Sequence, residues 1–332
     1  MNREIDKDID KGIAIYLVVL GHLSGGNPYI TFCHMPIFFF VSGYFACCSI
    51  QRYASKDIIK RKIKSLLIPY LFWSGISFVT SIGVEYIQGN LVKDMVRREL
   101  IDVFLMARSV WFLVILFITL LFFLIVKEIS EQIQKSLYVC AVISWILLSA
   151  FITFIGGSKF LALYKFAWLF PFFLIGYIVA DKQYIFQWSS ITSIVLTICY
   201  FFMIRFSYME GNFFAYIQFS YKSLNEIGVG ILYYVISLIG VLCIISIAQA
   251  ISRTGIGMAI SDIGKYSVDI YVIHMFMIKA FFFIPTFIEQ NQIFYGMYLM
   301  VYALLIVLIV YLLSKHILYK FSIYKQIMGA NK

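Results

Sequence analysis

The sequence predicts an all-α integral membrane protein: a bundle of about ten transmembrane helices, one domain over residues 1–332, both termini cytoplasmic. Three observations carry that expectation. Apolar residues make up 62 % of the chain and charged residues only 13 %, too few to clothe a soluble fold in polar surface. The mean hydropathy of +0.90 agrees. The apolar residues come in runs that suit hydrocarbon crossing, which takes roughly 20 residues of helix. Finally, Lys and Arg gather at the ends of these runs on one side, as expected of cytoplasmic loops.

Taken in order, the expected spans are 10–26, 29–49, 66–88, 109–127, 137–156, 160–181, 187–206, 228–250, 266–288 and 293–315. The first is retained rather than cleaved: Glu4, Asp6, Asp8 and Asp10 make its leading segment acidic as well as basic, and no A-x-A site follows. Cytoplasmic termini put Arg3, Lys7, Lys11, the cluster Arg52 to Lys64, Lys127, Lys135, Lys182, Arg253, Lys265 and the tail from Lys315 inside. The net charge of +10 is thereby explained by topology, and no nucleic-acid partner is expected. Between the third and fourth spans, Gly89 to Ser109 carries apolar residues at helical spacing with mixed charge opposite. It reads either as an amphipathic helix at the outer interface or as a solvated connector. The aromatic and polar segment Ser207 to Glu226 is a candidate outer rim. Pro69, Pro171 and Pro285 fall where a kink or a helix start is tolerated. The six cysteines lack CxxC or metal spacing and read as small packing residues; no metal site is expected.

Chemistry concentrates between Lys11 and Tyr44. Lys11 and His22 are separated by about three helical turns plus 20°, so they share one stripe, about 16 Å apart along the axis. That puts His22 about halfway across a ~30 Å core, where a neutral imidazole can act as general base toward an acceptor hydroxyl or make an interhelical hydrogen bond. Asp8 stands one turn before Lys11 and can pair with it, or both can be solvated. His34, followed by Met35 and Pro36, enters the next helix and is a candidate for substrate positioning, or satisfies a backbone group. Ser42 and Tyr44 offer hydroxyls on either side of Gly43, which permits close approach or simple helix packing. In Lys56 to Tyr70, the i,i+3 and i,i+4 spacing of Lys60, Arg61 and Lys64 gives a cationic face suited to phosphate, to anionic lipid, or to topology alone. Later spans hold Glu85, Lys165, Arg205, Glu226, Asp269, His274 and Lys279. Asp269 and His274 are about 140° apart on a helix, unsuited to an intrahelical dyad. No H-E-x-x-H, Walker loop, Rossmann fingerprint or G-x-S-x-G elbow is present.

These pieces resemble the membrane acyltransferase 3 family, whose bacterial members O-acylate surface glycans. The matching stretches are D-I-D-K-G (8–12), V-V-L-G-H (18–22), F-C-H-M-P-I-F-F-F-V-S-G-Y (32–44), L-L-I-P-Y (66–70), W-F-L-V-I-L-F (111–117), F-P-F-F-L-I-G-Y (170–177) and I-G-K-Y-S-V-D-I-Y-V-I-H (263–274). They run in order across about four-fifths of the chain. The resemblance implies a ten-helix bundle in the bacterial cytoplasmic membrane that takes an acyl group from acyl-CoA as donor substrate, with no bound cofactor. The acceptor is a sugar hydroxyl of a surface polysaccharide or its lipid-linked precursor. It also implies His22 as catalytic residue, eleven positions after the family's basic residue at Lys11. Lys11, Lys60, Arg61 and Lys64 are the cations expected to hold the anionic donor. The family's pair of arginines falls on Arg61 and Lys64; lysine keeps the charge there without the guanidinium fork. The chain is similar to the short, membrane-only branch that acetylates fucose or enterobacterial common antigen. The competing reading is a transporter or flippase for a polysaccharide or lipid-linked sugar, which predicts unchanged acyl content when the protein is lost.

Overall fold

The computed structural model describes residues 3–90, 92–154, 160–184, 188–207, 224–285 and 291–329. Among them every regular element is helical. In chain order the helices are α1 (Arg3–Leu23), α2 (Pro28–Arg52), α3 (Ser55–Ile87), α4 (Lys93–Leu100), α5 (Trp111–Gln132), α6 (Leu137–Phe154) and α7 (Tyr164–Asp181). Then follow α8 (Ser190–Ser207), α9 (Leu224–Ile251), α10 (Gly255–Gly264), α11 (Ser267–Phe281), α12 (Gln292–His316) and the short α13 (Ser322–Ile327).

The protein is an all-α membrane protein. Six helical runs among the described residues are long and apolar enough to cross a membrane: those over α2, α3, α5, α7, α9 and α12. The expected spans at 137–156 and 187–206 correspond to shorter apolar helices. The remaining two expected spans differ for separate reasons. α1 begins at Arg3, well before the expected edge, so its first half is charged rather than apolar. α11 stops at Phe281 because Phe282 turns to extended backbone on the approach to Pro285, which cannot continue a helix. The segment at 89–109 is helical over α4 and continues as a π turn, Ile101–Leu105. Most of the outer-rim segment expected at 207–226 lies outside the described residues.

The chain forms two compact units. The first lies within Met1–Ser42, Asp181–Glu210 and Gly228–Phe321, the second within Gly43–Ala180, Gly211–Ile227 and Ser322–Lys332. In the first unit, α1 packs on α10, α11 and α12. Glycines permit the approach to α10: a Cβ on Gly12 would collide with the Ile260 carbonyl oxygen, and one on Gly264 with that of Asp8. Without side chains at both positions the backbones meet directly, the usual device where hydrophobic attraction between helices is weak. The Tyr16 hydroxyl donates to the Met300 carbonyl at 3.1 Å, tying α1 to α12, and the Tyr200 hydroxyl donates to the Tyr29 carbonyl at 3.0 Å, tying α8 to α2.

The second unit is built on aromatic packing. Phe122 meets Phe166 and Phe170 edge to face, with centroids 5.0 and 5.2 Å apart, and Phe123 packs on Phe173 and Tyr177, joining α5 to α7. The Trp145 indole N–H donates to the Ala167 carbonyl at 2.8 Å, satisfying in the interior the one polar atom that α6 brings there with this ring. Gly43 serves this packing, since a Cβ would overlap the Phe173 carbonyl oxygen. Of the two roles open to it from sequence, helix packing is the one the structure displays.

Candidate active site

α1 carries two ion pairs at i,i+3. Lys11 Nζ lies 2.6 Å from Asp8 Oδ1, and both are half-buried. Offset by one residue, and so on the adjoining side of the helix, Lys7 Nζ lies 2.7 Å from Asp10 Oδ2, with Asp10 fully buried at 0 % exposure. From sequence alone Asp10 is assigned no partner, although Lys7 and Asp10 have the same i,i+3 spacing as Asp8 and Lys11.

His22 occupies the last turn of α1 and is exposed. It is therefore presented at the carbonyl end of the helix, where positive charge gained during proton abstraction is stabilised by the aligned peptide dipoles. The Ser24–Gly25–Gly26 turn follows, with Gly25 and Gly26 at φ +68° and +86°, values that an L side chain rarely adopts. His22 lies beside a residue to which no role was given from sequence. The His274 ring of α11 has its centroid 5.1 Å from that of His22, tilted by 39°. His274 is 1 % exposed, and its Nδ1 lies 3.0 Å from the Ile270 carbonyl oxygen. A carbonyl only accepts, so Nδ1 carries the proton and Nε2 the lone pair. That Nε2 is buried and has no hydrogen-bond partner among the described residues. The Tyr271 ring stands 6.0 Å away on the same helix.

His34 is half-buried on α2, with Nδ1 2.8 Å from the Ile30 carbonyl, so a backbone contact does satisfy one of its nitrogens. Ser42 and Tyr44 are both half-buried; Ser42 belongs to the first unit and Tyr44 to the second. Asp269, buried in α11, accepts from the Tyr319 hydroxyl at 3.3 Å. Asp262 of α10 accepts from Lys315 Nζ at 2.5 Å, from Lys265 Nζ at 3.3 Å and from the Tyr311 hydroxyl, closing α10 onto α12. Burial alone would raise the Asp262 carboxyl, but these donors outweigh it and hold the pKa down to about 2.

In the second unit, Lys60, Arg61 and Lys64 are exposed on α3. The Arg61 guanidinium sits over the Tyr53 ring, 3.7 Å from its centroid, which fixes the side chain. Lys64 falls within a π turn, Ile63–Leu67. Among the described residues none of the three makes an ion pair with a carboxylate. Elsewhere in this unit Lys165 lies over the Trp111 ring at 3.5 Å. Among the described residues no group of three or more His, Cys, Asp or Glu side chains could hold a metal ion.

A family model described as "Acyltransferase domain" matches residues 6–315, and the chain belongs to that family. A chain with six helices long and apolar enough to cross a membrane among its described residues thus falls in a family of acyltransferase domains. Two curated relatives are both named Nodulation protein NolL. The one from Sinorhizobium fredii (strain NBRC 101917 / NGR234) is 42 % identical over 86 residues, covering 22 % of this chain and 24 % of that protein. The one from Mesorhizobium japonicum (strain LMG 29417 / CECT 9101 / MAFF 303099) is 36 % identical over 86 residues, covering 22 % and 23 %. The match thus spans about a quarter of each curated relative. No solved structure matches the chain.

Proposed function

We propose that the protein is an O-acyltransferase, specifically an O-acetyltransferase, that moves an acyl group from acyl-CoA to a sugar hydroxyl of a surface polysaccharide or its lipid-linked precursor. The observation that carries this reading is an exposed imidazole, His22, held at the end of a buried, ion-paired helix in a chain of this family. In the proposed step His22 takes the proton of the acceptor hydroxyl, the oxygen attacks the thioester carbonyl, the C–S bond breaks, and the proton passes to the departing thiolate. Acylation of His22 itself, followed by transfer to the sugar, yields the same product and is the variant to trap. His34, Ser42 and Tyr44 are assigned to substrate positioning, Lys11 to the donor with Asp8 as its structural partner. Lys60, Arg61 and Lys64 are assigned to donor phosphates, a role supported by their exposure and lack of carboxylate partners among the described residues.

The same reading takes the chain as one acyltransferase domain over residues 1–332, crossing the bacterial cytoplasmic membrane about ten times with both termini inside. The test is the O-acyl content of surface glycans, read by proton NMR, in a null strain complemented with wild type or His22→Ala. Restoration by wild type and at least a ~100-fold loss with His22→Ala are expected, as for removal of a general base. Equal acyl content in every strain would transfer the assignment to glycan transport.

A further inference from the structure

A buried polar atom without a partner costs free energy, commonly 1 to 3 kcal/mol, and is kept where it has a use. Among the described residues His274 Nε2 is such an atom. Its proton state is fixed from the other side of the ring, because Nδ1 is committed to the Ile270 carbonyl at 3.0 Å. The ring is also held still, enclosed at 1 % exposure on a helix that packs against α1. Imidazole nitrogens lie on the ring edge, so with centroids 5.1 Å apart a rotation of the exposed His22 ring is enough to bring one of its nitrogens to His274 Nε2.

We propose that His274 is the positioning residue for His22: its Nε2 accepts one ring N–H of His22 and so directs the other, unprotonated nitrogen toward the acceptor hydroxyl. The inference rests on the acyl-transfer reading above. It assigns to a neutral imidazole the orienting task that a carboxylate performs in the familiar triads. The site explains that choice. A carboxylate at this depth would be a buried charge, whereas imidazole accepts the same hydrogen bond without one. No carboxylate is hydrogen-bonded to His274 among the described residues. When His22 takes the proton from the acceptor, the imidazolium keeps its hydrogen bond to His274. It then returns the acquired proton to the thiolate leaving group, so His274 gains and loses nothing.

The experiment uses the full-length protein in detergent, with radiolabelled acetyl-coenzyme A as donor and de-O-acylated surface glycan from the source strain as acceptor. His274→Leu removes the acceptor atom and keeps an apolar side chain of similar bulk; His274→Gln supplies an amide oxygen near the position of Nε2. The expected result for His274→Leu is a kcat lowered roughly 10- to 100-fold with KM for both substrates unchanged. His274→Gln should recover most of that loss. A second readout is independent of acyl transfer: the rate at which diethyl pyrocarbonate modifies His22, followed by peptide mass spectrometry. An acceptor on one nitrogen strengthens the nucleophilicity of the other, so the rate should fall several-fold in His274→Leu and rise again in His274→Gln.

An unchanged modification rate in His274→Leu overturns the proposal, even if kcat falls, because that pattern is loss of packing only. Failure of the glutamine variant to recover either readout overturns it as well. Full activity of His22→Ala would instead sink the acyl-transfer assignment of His22, while the modification rates would still judge the pairing of the two rings.

Discussion

α1 and α3 both carry cations at helical spacing, yet they hold them in opposite ways. On α1, Lys7 and Lys11 are matched to Asp10 and Asp8 within the helix, and the pairs are buried or half-buried. On α3, Lys60, Arg61 and Lys64 are exposed and lack carboxylate partners among the described residues. A neutralised cation in the interior holds a helix in place. An exposed cation with no acid beside it remains available to an anion in solution. The difference separates a charge that is structural from one that can bind.

The largest effect is expected from Asp10→Ala. It removes one partner of a buried ion pair, a change that costs about 3 to 5 kcal/mol. Thermal unfolding in detergent should show a large drop in stability. If the midpoint stays put and only donor affinity changes, α1 is a binding helix rather than a scaffold. The converse test is the triple variant Lys60→Ala, Arg61→Ala, Lys64→Ala. KM for acyl-CoA should rise at least ~10-fold, with a smaller salt dependence than wild type, while the unfolding midpoint moves little. A fall in kcat with KM unchanged would contradict phosphate binding by these cations.

The smallest effect belongs to Asp262, whose partially exposed pair with Lys315 resembles the α1 pairs in form but not in burial. Its folded-state pKa of about 2 lies below the ordinary 3.8, so the pair stabilises the fold above pH 3.8. That contribution is lost as pH falls from 3.8 through about 2. Partial exposure limits it to about 1 kcal/mol or less. Asp262→Asn should therefore flatten the decline of the unfolding midpoint over that range, and an identical decline in both proteins would remove the pair from the account.

The i,i+3 pairs on α1 could be read in the sequence because a regular helix fixes its own near neighbours. On α3 the spacing carried no sign of the π turn at Ile63–Leu67, in which Lys64 lies. Nor did the apolar run mark where α1 ends: the helix runs from Arg3 to Leu23, with His22 in its final turn and exposed. Helix ends depend on capping and on the turn that follows, both weaker signals than an apolar run.

By itself the sequence determined the helical membrane class, the family and the candidacy of His22, because composition, apolar run length and motif order are properties of the chain alone. Only the tertiary structure decided that His274 lies beside His22 and that Asp10 is buried with Lys7. Those facts depend on α1 meeting α10 and α11, and the α10 contact requires two glycines distant in sequence to face each other's backbones. Spacing along one helix carries no record of such a meeting.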